Sequence, residues 1–187
     1  MTEIAENKLQ QLINQRRTVH DFSEQTVPEE RILSAIDSAR WAPNHHRTEP
    51  WRFYLVGEGT KARICEFNKT LVEASKGEKA AAVKYRRWMA MPGWFVLTCA
   101  KSDDSLREQE DYAACCCAAQ NLSLVLWEQG IGVKWTTGAI TREARFFEII
   151  GASTQEEFVV GLFWYGYPKV VPDQHRRSVA EIVSVLD

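Results

Sequence analysis

Arg16, Arg17 and Thr18 stand together where an amphipathic pattern stops. Two guanidiniums beside a hydroxyl are fixed donors suited to a phosphate or to the carbonyl edge of a heterocycle. The competing reading is a solvated cationic helix end, which the helix dipole favours in its own right. His175-Arg176-Arg177, near the other end of the chain, admits the same two readings. Whether the two clusters converge on one anion is not something spacing can decide. A third stretch, from Trp41 to Phe53 (WAPNHHRTEPWRF), packs two prolines, two tryptophans and four potentially cationic side chains into thirteen residues. A connector needs only turn residues. Aromatics beside His and Arg fit the walls around a flat ligand with polar edges. Trp135-Thr136-Thr137-Gly138 offers an aromatic face, hydroxyls and backbone donors at the end of a strand pattern, a favoured place for binding loops. A core tryptophan leading into a glycine turn reads equally well.

Other chemistries find less support. His45 and His46 are adjacent but have no carboxylate or cysteine near them in sequence, which argues against a metal centre. The five cysteines, Cys65, Cys99 and Cys115 to Cys117, lack any CxxC or histidine spacing. They read as reduced, buried thiols of an intracellular protein, with a redox role for the triplet as a minor alternative. No dinucleotide fingerprint, phosphate-binding loop, zinc-protease motif or nucleophile elbow is present.

The elements that must position these residues follow from periodicity. Leu9, Leu12 and Ile13 make one helical face. A second helix starts at Pro28, with Glu29 and Glu30 at its positive end and Ile32, Leu33 and Ile36 as its stripe. Residues 51–56 have strand composition, and Ile64, Phe67, Leu71 and Val72 mark the next helix. Residues 74–93 are read as a helix through Tyr85, Trp88 and Met89, a candidate mobile cover. Residues 94–100 form a continuous apolar strand. The longest helix runs from about Leu106 to Gln129 and is apolar or small nearly all round at 112–127, which suits a central position or a partner subunit. A short strand at VKWTTGAI, a helix from Thr141 to Ile150, a strand at 158–166 and an irregular tail complete the chain. Helices and strands neither alternate strictly nor form hairpin runs. The fold class expected is α+β, a small sheet flanked by helices, in one domain over 1–187.

Composition agrees with a soluble globular chain: 187 residues, 45% apolar, 26% charged. A formal net charge of -2 gives no bulk attraction for nucleic acid. There is no signal-peptide pattern and no apolar run long enough for a membrane, so a cytoplasmic location is expected.

Together these pieces resemble the nitroreductase family of FMN-dependent flavoproteins. The opening motif reads RRTVHDF…VPEERI, the loop and strand read APNHHRTEPWRFYLV, the long helix AAQNLSLVLWEQGIG, and the close GLFWYGYPKVVPDQHRR. The likeness covers nearly the whole chain in order, and its loop and WTTG segment are similar to those of the compact bacterial branch. It implies FMN binding by Arg16, Arg17 and Thr18, by Trp41 and His45, by Trp135, Thr136 and Thr137, and by Arg176 or Arg177 at the phosphate. It also implies a homodimer with flavin at the interface and the long helix in the contact. The activity implied is ping-pong transfer of hydride from NADH or NADPH, through flavin N5, to a nitroaromatic, quinone or similar small acceptor. No side chain need act as a nucleophile. Three positions depart from the branch pattern: Trp41 replaces a common Arg, Glu49 replaces Gln and sets a possible negative charge near an anion site, and Thr136 replaces an Arg. A noncatalytic flavin- or nucleotide-binding protein, a sensor or carrier on the same fold, is the alternative.

Overall fold

The computed structural model describes residues 7–186. Helix α1 (Lys8–Gln15) opens on a reciprocal cap in which Asn7 and Gln10 exchange side-chain and backbone hydrogen bonds of 2.9 Å. Helix α2 (Glu29–Ala39) starts after Pro28 and ends four residues before Pro43. Strand β1 (Trp51–Leu55) leads into α3 (Glu58–Lys76) and α4 (Glu78–Met89), separated only by Gly77 at φ +82°, a backbone state that other residues resist. Strand β2 (Gly93–Ala100) precedes α5 (Ser105–Glu128), whose N-terminus is capped by Asp104 through the backbone N–H groups of Leu106 and Arg107. Then come β3 (Gly132–Thr136), α6 (Ala144–Ile150) and β4 (Glu157–Gly166).

The element order is the one periodicity predicts. One helix is shorter than expected: residues 139–142 form a separate 3₁₀ turn, and α6 begins only at Ala144. A carbonyl of this turn, Gly138 O, takes both the N–H and the hydroxyl of Thr141, which closes the turn locally instead of extending a helix. The candidate cover at 74–93 is a helix packed on α3, and its Trp88 is buried.

All four strands pair antiparallel in the order β1-β2-β4-β3. Period-two alternation along β2 explains the layering. Phe95, Leu97 and Cys99 face α2 and α5, meeting Ile32, Ala35, Cys115, Ala118 and Leu122. Trp94 and Val96 face the other way, toward Ile64 of α3, Trp88 of α4 and Phe146 of α6. The sheet is therefore the middle of three layers, with β2 and β4 innermost. Between Leu97 and Thr98 the register against β4 slips by one residue, leaving Val160 without a partner in β2. Its carbonyl accepts the Trp135 indole N–H at 3.0 Å, and the Trp135 ring stacks on Phe163 at 5.2 Å. Next to β3, the segment after α1 adds a short parallel bridge, Thr18 to Val133, with Val19 N donating to Val133 O.

Candidate functional site

Arg16 and Arg17 leave α1 and enter the Thr18–Val133 bridge, so the sheet edge fixes their direction. The tail, after its own anchor through Lys169 N to Asp21 O, returns Arg176 to the same place. Arg16, Arg17 and Arg176 line one cavity of about 280 Å³ together with Asn14, Gln120 of α5 and Gln174. The two basic clusters, some 160 residues apart in sequence (16 to 176), thus meet around a shared space. Arg17 is steadied by its own backbone, donating to the carbonyls of Asn14 and Arg16. The Arg16 guanidinium is held below its ordinary value by burial and then by Arg17 and Arg176. Its Nε is buried and has no hydrogen-bond partner. Among the described residues, no carboxylate lies within 4.0 Å of any of the three guanidiniums. Three cations around one space, with a buried donor that has no partner, suit an anion such as a phosphate monoester. Arg177 is exposed and does not line the cavity.

Trp135, Thr136 and Thr137 run off the end of β3, on the same strand that Thr18 bridges. The Trp135 indole is turned into the sheet by its bond to Val160, so the ring supports the segment while the half-buried Thr136 and exposed Thr137 are free to present hydroxyls and backbone donors.

Trp41 and His45 lie elsewhere. Trp41 is 76% exposed, with the Arg40 guanidinium 5.4 Å above its ring. It borders a second cavity of about 340 Å³ that also touches Asn44, Arg47 and Glu49. The loop is built on Asn44 and on Asp111 of α5, which is only 4% exposed. Asn44 Oδ1 accepts the Glu49 N–H at 2.7 Å, Asn44 Nδ2 donates to Thr48 at 3.0 Å, and the Thr48 hydroxyl donates to Asp111. These bonds hold His46, Arg47 and Glu49 at φ of 62°, 54° and 46°, a region costly for side-chain-bearing residues. Glu49 therefore sits with Arg47 and Arg40, and not in the arginine cavity, where its charge would oppose an anion. Asp111 to Gln120 is nine residues along one helix, roughly 14 Å of rise. Within one chain, the loop and the arginine cavity are separate places.

Sequence distance hid several members of these sites. Asp111 anchors the loop and Gln120 and Gln174 line the arginine cavity, yet each is an ordinary polar residue in its own window. Glu110 is a further case: His45, His46 and Glu110 each place a ligand atom within 4.8 Å of the others. The absence of a carboxylate near the two histidines, on which a metal was set aside, does not hold in three dimensions. The thiols also need correction. Cys65, Cys99 and Cys115 are buried, but Cys117 is exposed, because two residues further along α5 the side chain has turned away from the sheet. Burial pushes the Cys65 thiol up to about 12. Cys115 is raised as well, by its hydrogen bond with Cys99 and by burial, so neither is a ready nucleophile.

Comparison with known proteins agrees with this architecture. A protein of Bacillus subtilis (strain 168), carrying the provisional name NAD(P)H nitroreductase YfhC, is 29% identical over 174 residues, covering 91% of this chain and 89% of its own. The crystal structure of a nitroreductase-like family protein from Bacillus cereus superposes with a TM-score of 0.85 at 27% identity, over the whole of both chains. A Desulfovibrio desulfuricans protein solved in complex with FMN has the same fold, with a TM-score of 0.77 at 18% identity over 98% of this chain and 99% of its own. No helix among the described residues is long and apolar enough to cross a membrane. The sequence profile of the Nitroreductase family matches residues 13–167, and the chain belongs to that family.

Proposed function

We propose that this protein is an FMN-dependent oxidoreductase that takes hydride from NADH or NADPH and passes it to a small acceptor such as a nitroaromatic or a quinone. The observation that carries the reading is the arginine cavity: Arg16, Arg17 and Arg176 face one space with no counter-ion and an unused buried donor. That donor set fits the phosphate of FMN. Family membership, the name borne by the Bacillus subtilis relative and FMN in a protein of the same fold support it further. Bound there, FMN would supply the hydride chemistry itself. The chain's own tasks are binding and orientation. Arg16 and Arg176 neutralise the phosphate, Arg17 and Thr18 direct donors from the sheet edge, and the Trp135–Thr137 segment offers donors toward the heterocycle. Donors near a carbonyl edge where negative charge gathers stabilise the reduced cofactor.

Trp41 and His45 complete the site across a homodimer. The exposed face of α5 carries Ala113, Cys117 and Gln120, and it runs from the histidine loop to the arginine cavity. An antiparallel pairing of two α5 helices about Cys117 sets the Glu110 end of one beside the Leu124 end of its copy. The loop of one protomer then reaches the arginine cavity of the other.

An absorption spectrum of the purified protein, followed under argon by NADH and then NADPH, tests the reading. Oxidised-flavin bands bleached by either nucleotide and restored by a nitroaromatic or quinone are expected. A chain that takes up no added FMN would sink the proposal, and flavin bands that neither nucleotide bleaches would leave a noncatalytic flavin binder. Arg16→Ala should weaken FMN binding about 10- to 100-fold, the scale of one charge-assisted hydrogen bond.

A further inference from the structure

Four basic side chains from three separate elements gather where the segment after α1 bridges β3, apart from the arginine cavity. Lys134 lies on β3 itself and places Nζ 4.9 Å from the centroid of the Trp164 ring, its cross-strand neighbour. Lys84, on α4, places Nζ 5.2 Å from the Trp88 ring, and the Trp88 and Trp164 rings are 5.2 Å apart. Arg87 is one turn further along α4, on the same face as Lys84. His20 follows Thr18 along the segment bridged to β3.

These groups feel one another. After burial, which is the largest cause for each, His20 is held below its ordinary value by Lys134 and Arg87, Lys134 by Arg87 and Lys84, and Lys84 by Arg87 and Lys76. Among the described residues none of the four has a carboxylate within 4.0 Å. A solvated basic face would spread its charges and pair some of them. Here two ammoniums are fixed over indole faces, so their positions are set before any ligand arrives. The Trp164 ring under Lys134 adds an indole N–H that is buried, with the residue 4% exposed, and without a partner.

We propose that His20, Lys84, Arg87 and Lys134 form a recognition site for the 2′-phosphate of the nicotinamide donor, so that the protein prefers NADPH to NADH. The inference rests on the flavin-reductase reading, because it is that reading which brings a nicotinamide dinucleotide to this edge. Trp135, assigned to the flavin, follows Lys134 on β3 but faces Phe163 where Lys134 faces Trp164, and Thr18 stands two residues before His20, so a dinucleotide would reach this cluster around the strand from the flavin. The charge count selects the monoester. A pyrophosphate spreads two single charges, whereas a phosphate monoester concentrates about -1.5 to -2 on one group, as the crowded cations here require.

The test is calorimetric titration of the purified protein with NADP+ and with NAD+, which differ only in the 2′-phosphate, together with kcat/KM for NADPH and NADH. The parent, Lys134→Gln and Arg87→Gln proteins are compared. The expected result is binding of NADP+ at least about tenfold tighter than NAD+, an advantage each substitution cuts by about tenfold as a charge-assisted contact is lost. The NADPH-to-NADH ratio should fall in step. Equal affinity for the two nucleotides, or a ratio that neither substitution moves, overturns the proposal. So does a preference that moves instead with the charge of the acceptor, 4-nitrobenzoate against 4-nitrobenzamide, since the cations would then serve the acceptor. Failure of the flavin reading appears separately, as a protein that neither nucleotide reduces, while the calorimetry still reports on the phosphate site.

Discussion

Glu157 shows what a single buried charge demands. It is 6% exposed and accepts hydrogen bonds from Arg52 at 3.1 Å, from the Tyr54 hydroxyl at 2.7 Å and from Thr98, whose side chain is wholly enclosed. Glu157→Ala would leave two hydroxyls without their acceptor, and should cost about 2–3 kcal/mol. A lower urea midpoint at unchanged slope is the expected readout, with Glu157→Gln losing less. His20 carries the pH dependence. Its folded value lies below the ordinary 6.5, from burial and then from Lys134 and Arg87. The unfolded chain therefore binds the proton first. The stability this histidine contributes is full above 6.5 and is lost as pH falls toward the folded value. An NMR titration should place its midpoint below 6.5, and Lys134→Gln should move it upward. At this scale the sequence offered residue types but not neighbours. Arg16 and Arg17 stood out because they are adjacent, whereas Asp111, Glu110 and Gln174 became partners only through the fold.

Elements were more legible than contacts, because hydrophobic period is a local property. The α5 pattern, apolar nearly all round, announced a helix with two faces to cover, and the structure covers only one. Cys117 lies on the other. The proposed dimer encloses that face, so a thiol reagent should find Cys117 protected in concentrated protein and reactive on dilution, with Cys65, Cys99 and Cys115 silent until unfolding. Reaction independent of concentration would count against the interface. Gly161 was not legible at all, sitting as it does inside a plain strand pattern. A Cβ there would lie 2.1 Å from the Trp135 Nε1 and 2.4 Å from its Cδ1. Gly161→Ala should therefore displace the Trp135 ring from the Val160 carbonyl, at about 1–3 kcal/mol. Fluorescence titration should show weakened FMN binding, with secondary structure retained.

For the molecule as a whole, the α+β class and a small sheet flanked by helices could be argued from element order, whereas the layering depends on contacts that only the fold makes. So does site assembly. The residues that the family likeness assigned to one ligand fall into two places in a single chain, and the proposed dimer is what would reunite them. Sedimentation should give a dimer, and Cys117→Arg should yield a folded monomer that has lost flavin as well as its partner. A monomer that still holds FMN fully would show that one chain suffices. The indoles of Trp88, Trp94 and Trp164 stand 5.2–5.6 Å from one another, edge-on or tilted, between the sheet and the outer helices. At that spacing their electronic transitions couple, so the trio absorbs ultraviolet light as one chiral chromophore. Its circular-dichroism couplet should vanish on unfolding and shift in Lys134→Gln, which removes the cation above Trp164. The protein carries its own optical reporter for whatever settles at the β3 edge.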